Sequence, residues 1–340
     1  MKSVVKIMRY SLRPLFTCPP NSAEELFQKI KHCISVFNPE WVKKIKPDSD
    51  KDIRYLEKLV MHTYGTPLPA SYKMYLQEMG TADGGLFSEY LTYEMSRFYG
   101  RMACGAADEI EDLLDRSTRG QEIKESPSEP PYWHFALSQF SGEGWGFSPS
   151  TTIPDQIIKR NGHFVAYTSD TFSSLLFYFA FSYMFYSATS HSTKLNNKTF
   201  KYLAESYSPE AYECHKVEFY VKYPQEWATP GHTALIDFLN VLEKEFSFEE
   251  CWFSGFKKFN LFDINGQETL YPWEFSRYIG FHTASDLIIS IDNRYAAGEN
   301  YPTSGGIRIM SQDMPCTKQI MDTILQRLEL YDEMYSIQKL

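Results

Sequence analysis

The sequence predicts an α+β fold organised as two successive units, and three observations carry that reading. Apolar residues recur at helical spacing through the first 80 positions, with caps and breakers where helices should begin and end. From about residue 132 the spacing tightens to strand-like alternation, and an uncharged helical stretch closes the run. From residue 215 a strand, a helix, several strands and a last helix follow in that order. The expected partition is a first unit of N-terminal helices plus antiparallel sheet over 1–195, a polar connector over 196–214, and a second, smaller α+β unit over 215–340. At 340 residues the chain is long enough to bury two cores. Its aromatic content of 16% supplies the large side chains such cores need, and Tyr and Trp also suit protein interfaces.

Taken in order, Ser22 or Asn21 suits the cap of a first helix. Glu24 and Glu25 sit in its first turn, and Leu26, Phe27, Ile30, Cys33 and Ile34 line its apolar side. The stretch from Pro39 to Pro47 breaks that helix, and Asp48 or Asp50 opens a second. Ile53, Leu56, Leu59 and Val60 form one face of it, and Gly65 stands where a C-cap glycine belongs. Pro67 and Pro69 forbid simple continuation, while Pro69 suits the first turn of a third helix. Tyr72, Tyr75, Leu76 and Met79 make the stripe of that helix, which stops at Gly80.

A helix near 107–115 follows, with Ile110, Leu113 and Leu114 inward, and then a polar, proline-bearing loop over 117–131. Strands are expected at Tyr132–Phe140, Trp145–Ser148 and His163–Thr168, the last after an Asn161-Gly162 turn. A helix over Phe172–Ser187 closes the first unit. The second unit should hold a strand at Lys216–Tyr223 and a helix at Thr233–Phe246. Further strands are expected at Cys251–Phe256, Lys258–Phe262, Leu287–Asp292 and Gly306–Met310, with a final helix over Thr317–Tyr331.

Charge is unevenly placed. Residues 1–200 hold 22 Lys+Arg against 22 Asp+Glu; subtracting from the totals of 34 and 43 leaves 12 against 21 for residues 201–340, so the whole excess of −9 lies there. That argues against a phosphate-backbone site in the last 140 residues and for no direct nucleic-acid partner. It suits a basic protein partner, and equally a solvated face that favours solubility. The six cysteines are scattered with no Cys-x-x-Cys pair, which reads as reduced, mostly buried thiols. The N-terminal run MKSVVKIMRYSLRPLF has charges breaking every apolar stretch and reads as no signal peptide. Thr171–Ser190 is uncharged and near membrane-spanning length, but its Ser, Thr and Tyr content and lack of basic flanks favour a buried helix. The expectation is a cytoplasmic protein that does not enter a membrane.

No motif for catalysis emerges. Gly142-Glu143-Gly144-Trp145-Gly146 lies between two strands, where a phosphate-cradling loop would need a following helix. Asp263-Ile264-Asn265-Gly266 aligned as a calcium loop would put Leu261 and Pro272 at ligand positions, so it reads as a turn. The eight histidines are dispersed without metal-ligand spacing, and there is no nucleophile elbow. The chain is therefore expected to be no enzyme and to carry no metal and no cofactor. Residues far apart in sequence could still converge, and only a deep pocket with titratable groups would revive catalysis. Asp108, Glu109, Glu111, Asp112 and Asp115 form an acidic run on an amphipathic helix, ordinarily a solvated face and otherwise an electrostatic docking surface.

Gly65-Thr66-Pro67-Leu68-Pro69, followed by Tyr72-Lys73 and Gly80, resembles the SUKH superfamily, which contains bacterial immunity proteins and relatives of a fungal cell-wall-assembly regulator. Trp133-His134-Phe135-Ala136 is similar to the first core strand of that family, and Gly142–Phe147 to its glycine turn and next strand. The resemblance covers roughly residues 20–190. Ser148-Pro149 stands where the family often has an acidic residue, and 86–131 is longer than a minimal member needs. The resemblance implies a binding protein that neutralises a bacterial toxin, such as a nuclease or deaminase, by steric and electrostatic occlusion. The implied partner is a basic toxin domain, met through Asp108, Glu109, Glu111, Asp112 and Trp145. Gly65, Leu68, Pro69, Tyr72, Gly80 and Trp133 are expected to be determinants of the fold. The alternative is a regulatory or scaffold interaction module unrelated to immunity.

Overall fold

Helices and antiparallel sheets, the α+β class expected, make up the computed structural model. It describes residues 13–37, 39–86, 107–108, 110–111, 114–115, 133–137, 143–147, 155–161, 164–190, 215–222, 242–254, 260–262, 268–269, 276–283, 287–294, 304–311 and 319. The chain divides into two compact units that are not sequential. One comprises Pro20–Phe185 with Lys257–Tyr271; the other comprises Met1–Pro19, Tyr186–Phe256 and Pro272–Leu340. The partition at 195 and 215 therefore needs two corrections. The N-terminal 19 residues belong with the later unit, and an internal excursion over 257–271 belongs with the earlier one.

In the first unit, helix α2 (Ala23–Phe37) starts where its cap chemistry requires. The Ser22 hydroxyl accepts from the Glu25 N–H at 3.2 Å, and the Glu25 carboxylate accepts from the Asn21 N–H at 2.8 Å. Its expected apolar stripe, Leu26, Phe27, Ile30, Cys33 and Ile34, is buried throughout. Helix α3 (Asp50–Tyr64) is capped by Ser49 rather than by either aspartate proposed from sequence. The Ser49 hydroxyl accepts from the Asp52 N–H at 3.1 Å, which leaves Asp48 to turn inward, where its carboxylate accepts from Thr81 Oγ1. Helix α4 is Ala70–Met79. Lys73–Glu57 (2.7 Å) ties it to α3 and Lys31–Glu78 (2.6 Å) ties it to α2. A short two-stranded pair, β1 (Ile45–Lys46) with β2 (Ala82–Asp83), brackets this corner.

The main sheet of this unit has six antiparallel strands in the order β10-β9-β6-β5-β4-β3. Their ranges are β3 Trp133–Leu137, β4 Glu143–Phe147, β5 Gln156–Asn161, β6 Phe164–Thr171, β9 Asn260–Phe262 and β10 Glu268–Thr269. Asn161 pairs with Phe164, so two residues join β5 and β6 at the hairpin that Asn161-Gly162 announced. Strand β5 itself was not foreseen, because Gln156–Asn161 ends in Lys159-Arg160-Asn161 and lacks clear alternation. Strand β9 was foreseen, but in the wrong sheet: it pairs with β6 at Val165–Tyr167. Helix α5 (Phe172–Ser190) packs its apolar residues inward; Leu175 to Phe181 are all buried. Thr171 caps it reciprocally with Ser174, each accepting the other's N–H at 3.1 Å. Among the described residues, no helix is long and apolar enough to cross a membrane.

In the second unit, five antiparallel strands run in the order β7-β13-β12-β11-β8. These are β7 His215–Lys222, β8 Phe248–Glu250, β11 Ser276–His282, β12 Leu287–Arg294 and β13 Ser304–Ser311. Strand β11 was missed from sequence. Cys251–Ser254 is not the start of a strand; the strand is the three residues before it. Helix α1 (Arg13–Thr17) joins this unit by burying Leu15 and Phe16. The Phe16 ring lies 5.9 Å from Phe253 and 6.3 Å from Phe281, and Trp252 Nε1 donates to the Leu15 carbonyl at 3.3 Å. Arg13 adds a two-pronged ion pair to Glu249. The helices expected at 233–246 and 317–331 lie mostly outside the described residues; within them, 242–245 and 319 are helical.

Candidate partner-binding surface

Of the residues expected to specify the fold, Leu68, Tyr72, Gly80 and Trp133 are buried in the first unit, whereas Gly65 is exposed and Pro69 half-buried. Gly65 closes α3 in the left-handed region (φ 71°), and its N–H reaches the Met61 carbonyl. No atom lies within 4 Å of where its side chain would begin, so backbone conformation, not space, selects glycine there. Leu68 is buried, and Pro69 stands just ahead of α4 with an extended backbone (φ −55°, ψ 135°) that turns the chain into the helix. Gly80 ends α4 in a right-handed conformation, packed so closely that a β-carbon would sit 2.8 Å from Leu76 backbone atoms.

Tyr72 is the hub. It is fully buried, and its ring centroid lies 5.2–5.7 Å from those of Phe172, Phe147, Trp133 and Phe135. One tyrosine thus joins α4, the edge strand β3, its neighbour β4 and the start of α5. Trp133 is buried beside it. Tilted and edge-on ring pairs at these spacings add specific geometry to the area they bury.

Trp145 corrects an expectation. Proposed as a partner contact, it is 7% exposed and stacks on Phe179 of α5 at 5.6 Å and 20°. Its position in β4 puts it on the sheet face that α5 covers. The sequence puts it at the start of a strand but does not say which face of that strand a helix covers.

The acidic run divides differently. Asp108, Glu111 and Asp115 are exposed, whereas Ala107 and Ile110 are buried, so these three carboxylates face solvent. Glu109 and Asp112 lie outside the described residues. Leu114, expected inward, is 36% exposed and adds an apolar atom group to the acidic face. Beside this strip stands a residue the sequence reading passed over, Tyr55 of α3, which is 50% exposed. Its hydroxyl donates to the Glu111 carboxylate. That hydrogen bond is the main cause that raises the Tyr55 pKa above the usual phenol value, with burial and the charges of Glu111 and Asp108 adding to it. A signal was available: Tyr55 falls off the 53/56/59/60 stripe, on a helix face where a solvated position would ordinarily be polar. The exposed residues of α3 include Lys51, Arg54 and Lys58 as well as Asp50, so the described carboxylates of the strip itself are Asp108, Glu111 and Asp115.

A second cluster is built for structure. Asp155, in the left-handed region at φ 54°, accepts from the hydroxyls of Ser71 (2.6 Å) and Ser173 (2.8 Å) and from the Ser173 N–H (3.4 Å). Its carbonyl accepts from Phe172 N–H at 2.8 Å. A carboxylate at the N-terminus of α5 is favoured by the helix dipole, and its bond to Ser71 fastens α4 to that point. These contacts join α4 to the start of α5, and among the described residues no His or Lys bonds to Asp155.

Cys33 and Cys251 are buried, and burial pushes both thiols well above their ordinary range, so neither forms a thiolate near neutrality; Cys18 is exposed. Among the described residues, no three His, Cys, Asp or Glu side chains converge as a metal site would require. No family model, no curated protein and no solved structure matches the chain.

Proposed function

We propose that this chain is a cytoplasmic binding protein of the toxin-immunity kind, which neutralises a basic toxin domain by covering it. The observation that carries the reading is the exposed acidic strip of Asp108, Glu111 and Asp115 with half-exposed Tyr55 hydrogen-bonded at its side. Nucleic-acid-cleaving and base-modifying toxins hold a polyanion and are basic where they do so. A strip of carboxylates steers such a surface into contact, and an aromatic residue at its edge is the type that anchors interfaces. The likeness of Gly65–Pro69, Tyr72-Lys73 and Gly80 to SUKH proteins supports the same reading from the sequence side. Neither the serine–aspartate cluster nor the buried thiols offers competing chemistry.

The test is co-expression with the toxin domain encoded beside this chain's gene, together with pull-down of the pair. A complex and restored growth are expected. Absence of both would remove the immunity reading; a complex without protection would favour a regulatory or scaffold module instead.

A further inference from the structure

A basic row and an acidic row meet at Tyr55 on the surface of the first unit. The solvent face of α3 carries Lys51, Arg54 and Lys58, all exposed, within an arc of about 60° at 3.6 residues per turn. Among the described residues none of these three holds an ion pair, whereas Lys29, Lys31, Lys43 and Lys73 each meet a glutamate. The carboxylates of the same helix lie off that row: Asp50 is its first residue, Asp52 is bonded by Ser49, and Glu57 is held by Lys73. Asp108, Glu111 and Asp115 repeat the i, i+3, i+7 spacing of the basic row with the opposite charge. The hydrogen bond from Tyr55 to Glu111 brings the two segments together. Val42, Tyr55, Met61 and Leu114 are the large apolar side chains exposed among the described residues, and all but Val42 belong to these two segments.

We propose that two copies of this chain pair through these rows, Lys51, Arg54 and Lys58 of each copy resting on Asp108, Glu111 and Asp115 of the other. A helix rises about 1.5 Å per residue, so the later members of each row stand about 4.5 and 10.5 Å from the first. Three cations therefore meet three carboxylates whichever way the helices run, offset by at most about 1.5 Å. Each copy carries both rows, so a twofold axis satisfies both contacts at once. That is the argument for a second copy as occupant: a partner of one charge sign would satisfy only one row. The pairing would also cover the exposed apolar groups of Tyr55, Met61 and Leu114. Its acidic half is the strip assigned above to a basic toxin, so pairing and toxin binding exclude each other, but the pairing itself needs no toxin.

The test is a charge swap in the full chain with no toxin present, so its failure leaves the immunity reading standing. Light scattering after size exclusion should give wild type twice the mass of one chain at low ionic strength, falling to one chain's mass at high salt. Arg54→Glu/Lys58→Glu and Asp108→Lys/Glu111→Lys should each run at one chain's mass at low salt. An equimolar mixture of the two variants should recover the doubled mass, because each reversed row then faces its opposite. Wild type at one chain's mass at low salt overturns the proposal. So does a doubled mass in either variant alone, or a mixture that stays at one chain's mass. Where a reversal costs amide protection in β4 and β5, Arg54→Gln/Lys58→Gln and Asp108→Asn/Glu111→Gln take its place, and a doubled mass in either overturns the proposal equally.

Discussion

Asp155→Ala should weaken the first unit by about 3–5 kcal/mol, and the figure can be assembled from its contacts. Ser71 is 5% exposed, so removing the carboxylate strands a buried hydroxyl that water does not readily reach. A hydrogen bond to a charged group lost in that way costs about 1.5–3 kcal/mol. Ser173 is less buried and can turn to water, so its loss is chiefly that of the favourable charge at the N-terminus of α5, about 0.5–1 kcal/mol. Alanine must also hold φ near 54°, which costs about 1 kcal/mol where aspartate tolerates it more easily. Glycine removes that last penalty, so Asp155→Gly should be less damaging than Asp155→Ala by about 1 kcal/mol. Asparagine keeps an acceptor and tolerates the backbone, and should lose about half as much as alanine. Urea unfolding measures the totals, and hydrogen exchange in the first turn of α5 localises them. The double variant Ser71→Ala/Asp155→Ala should cost less than the sum of its parts, because no hydroxyl is left stranded. A loss under about 0.5 kcal/mol for alanine, or a glycine variant worse than alanine, would refute this account of the cluster.

Three further expectations follow from single contacts. Gly84 holds φ 68° with Trp41 Nε1 2.3 Å from where a β-carbon would lie, so Gly84→Ala should cost about 2–4 kcal/mol by urea unfolding, strain and displacement of a buried ring adding together. Trp145→Phe should lower stability by about 1–2 kcal/mol yet leave partner affinity unchanged, whereas a true interface anchor would lose affinity first. Glu111→Gln should move the Tyr55 pKa down toward the ordinary phenol value, read by NMR of ring-labelled tyrosine. The sign follows from linkage: a raised folded-state pKa means the Tyr55–Glu111 contact contributes fully below the unfolded phenol pKa near 10 and is lost as pH rises through the folded value.

Much of the first unit was legible because local rules and tertiary structure agree there. The Leu26–Ile34 stripe, Gly65, and Tyr72 with Tyr75, Leu76 and Met79 each obey a short-range pattern that packing then uses. What was missed needed distance. Asp155 serves a serine 84 positions earlier and a helix start 17 positions later, a relation with no sequence signature. Strand β9 reads as a strand, but nothing local says that its partner is β6 rather than a neighbour in sequence. Helix α1 is only five residues long, and its burial of Leu15 and Phe16 depends on Phe253 and Phe281. Trp145 is read correctly as a strand residue, but its burial depends on Phe179 of α5, 34 positions later, which nothing local announces. At the surface, the acidic run is readable from composition; Tyr55 stands out only as an aromatic residue off the apolar stripe, and its partner Glu111 lies 56 positions away.

The central claim is that an acidic strip edged by Tyr55 meets a basic toxin domain. Its most direct test is the affinity of the chain for that domain, measured by titration at low and high salt, with wild type against Asp108→Lys/Glu111→Lys. Both substituted residues are exposed, so the fold should survive. Reversing two rim charges should weaken binding by about 10- to 100-fold at low salt and flatten its salt dependence. Unchanged affinity and an unchanged salt slope in the variant would contradict the claim.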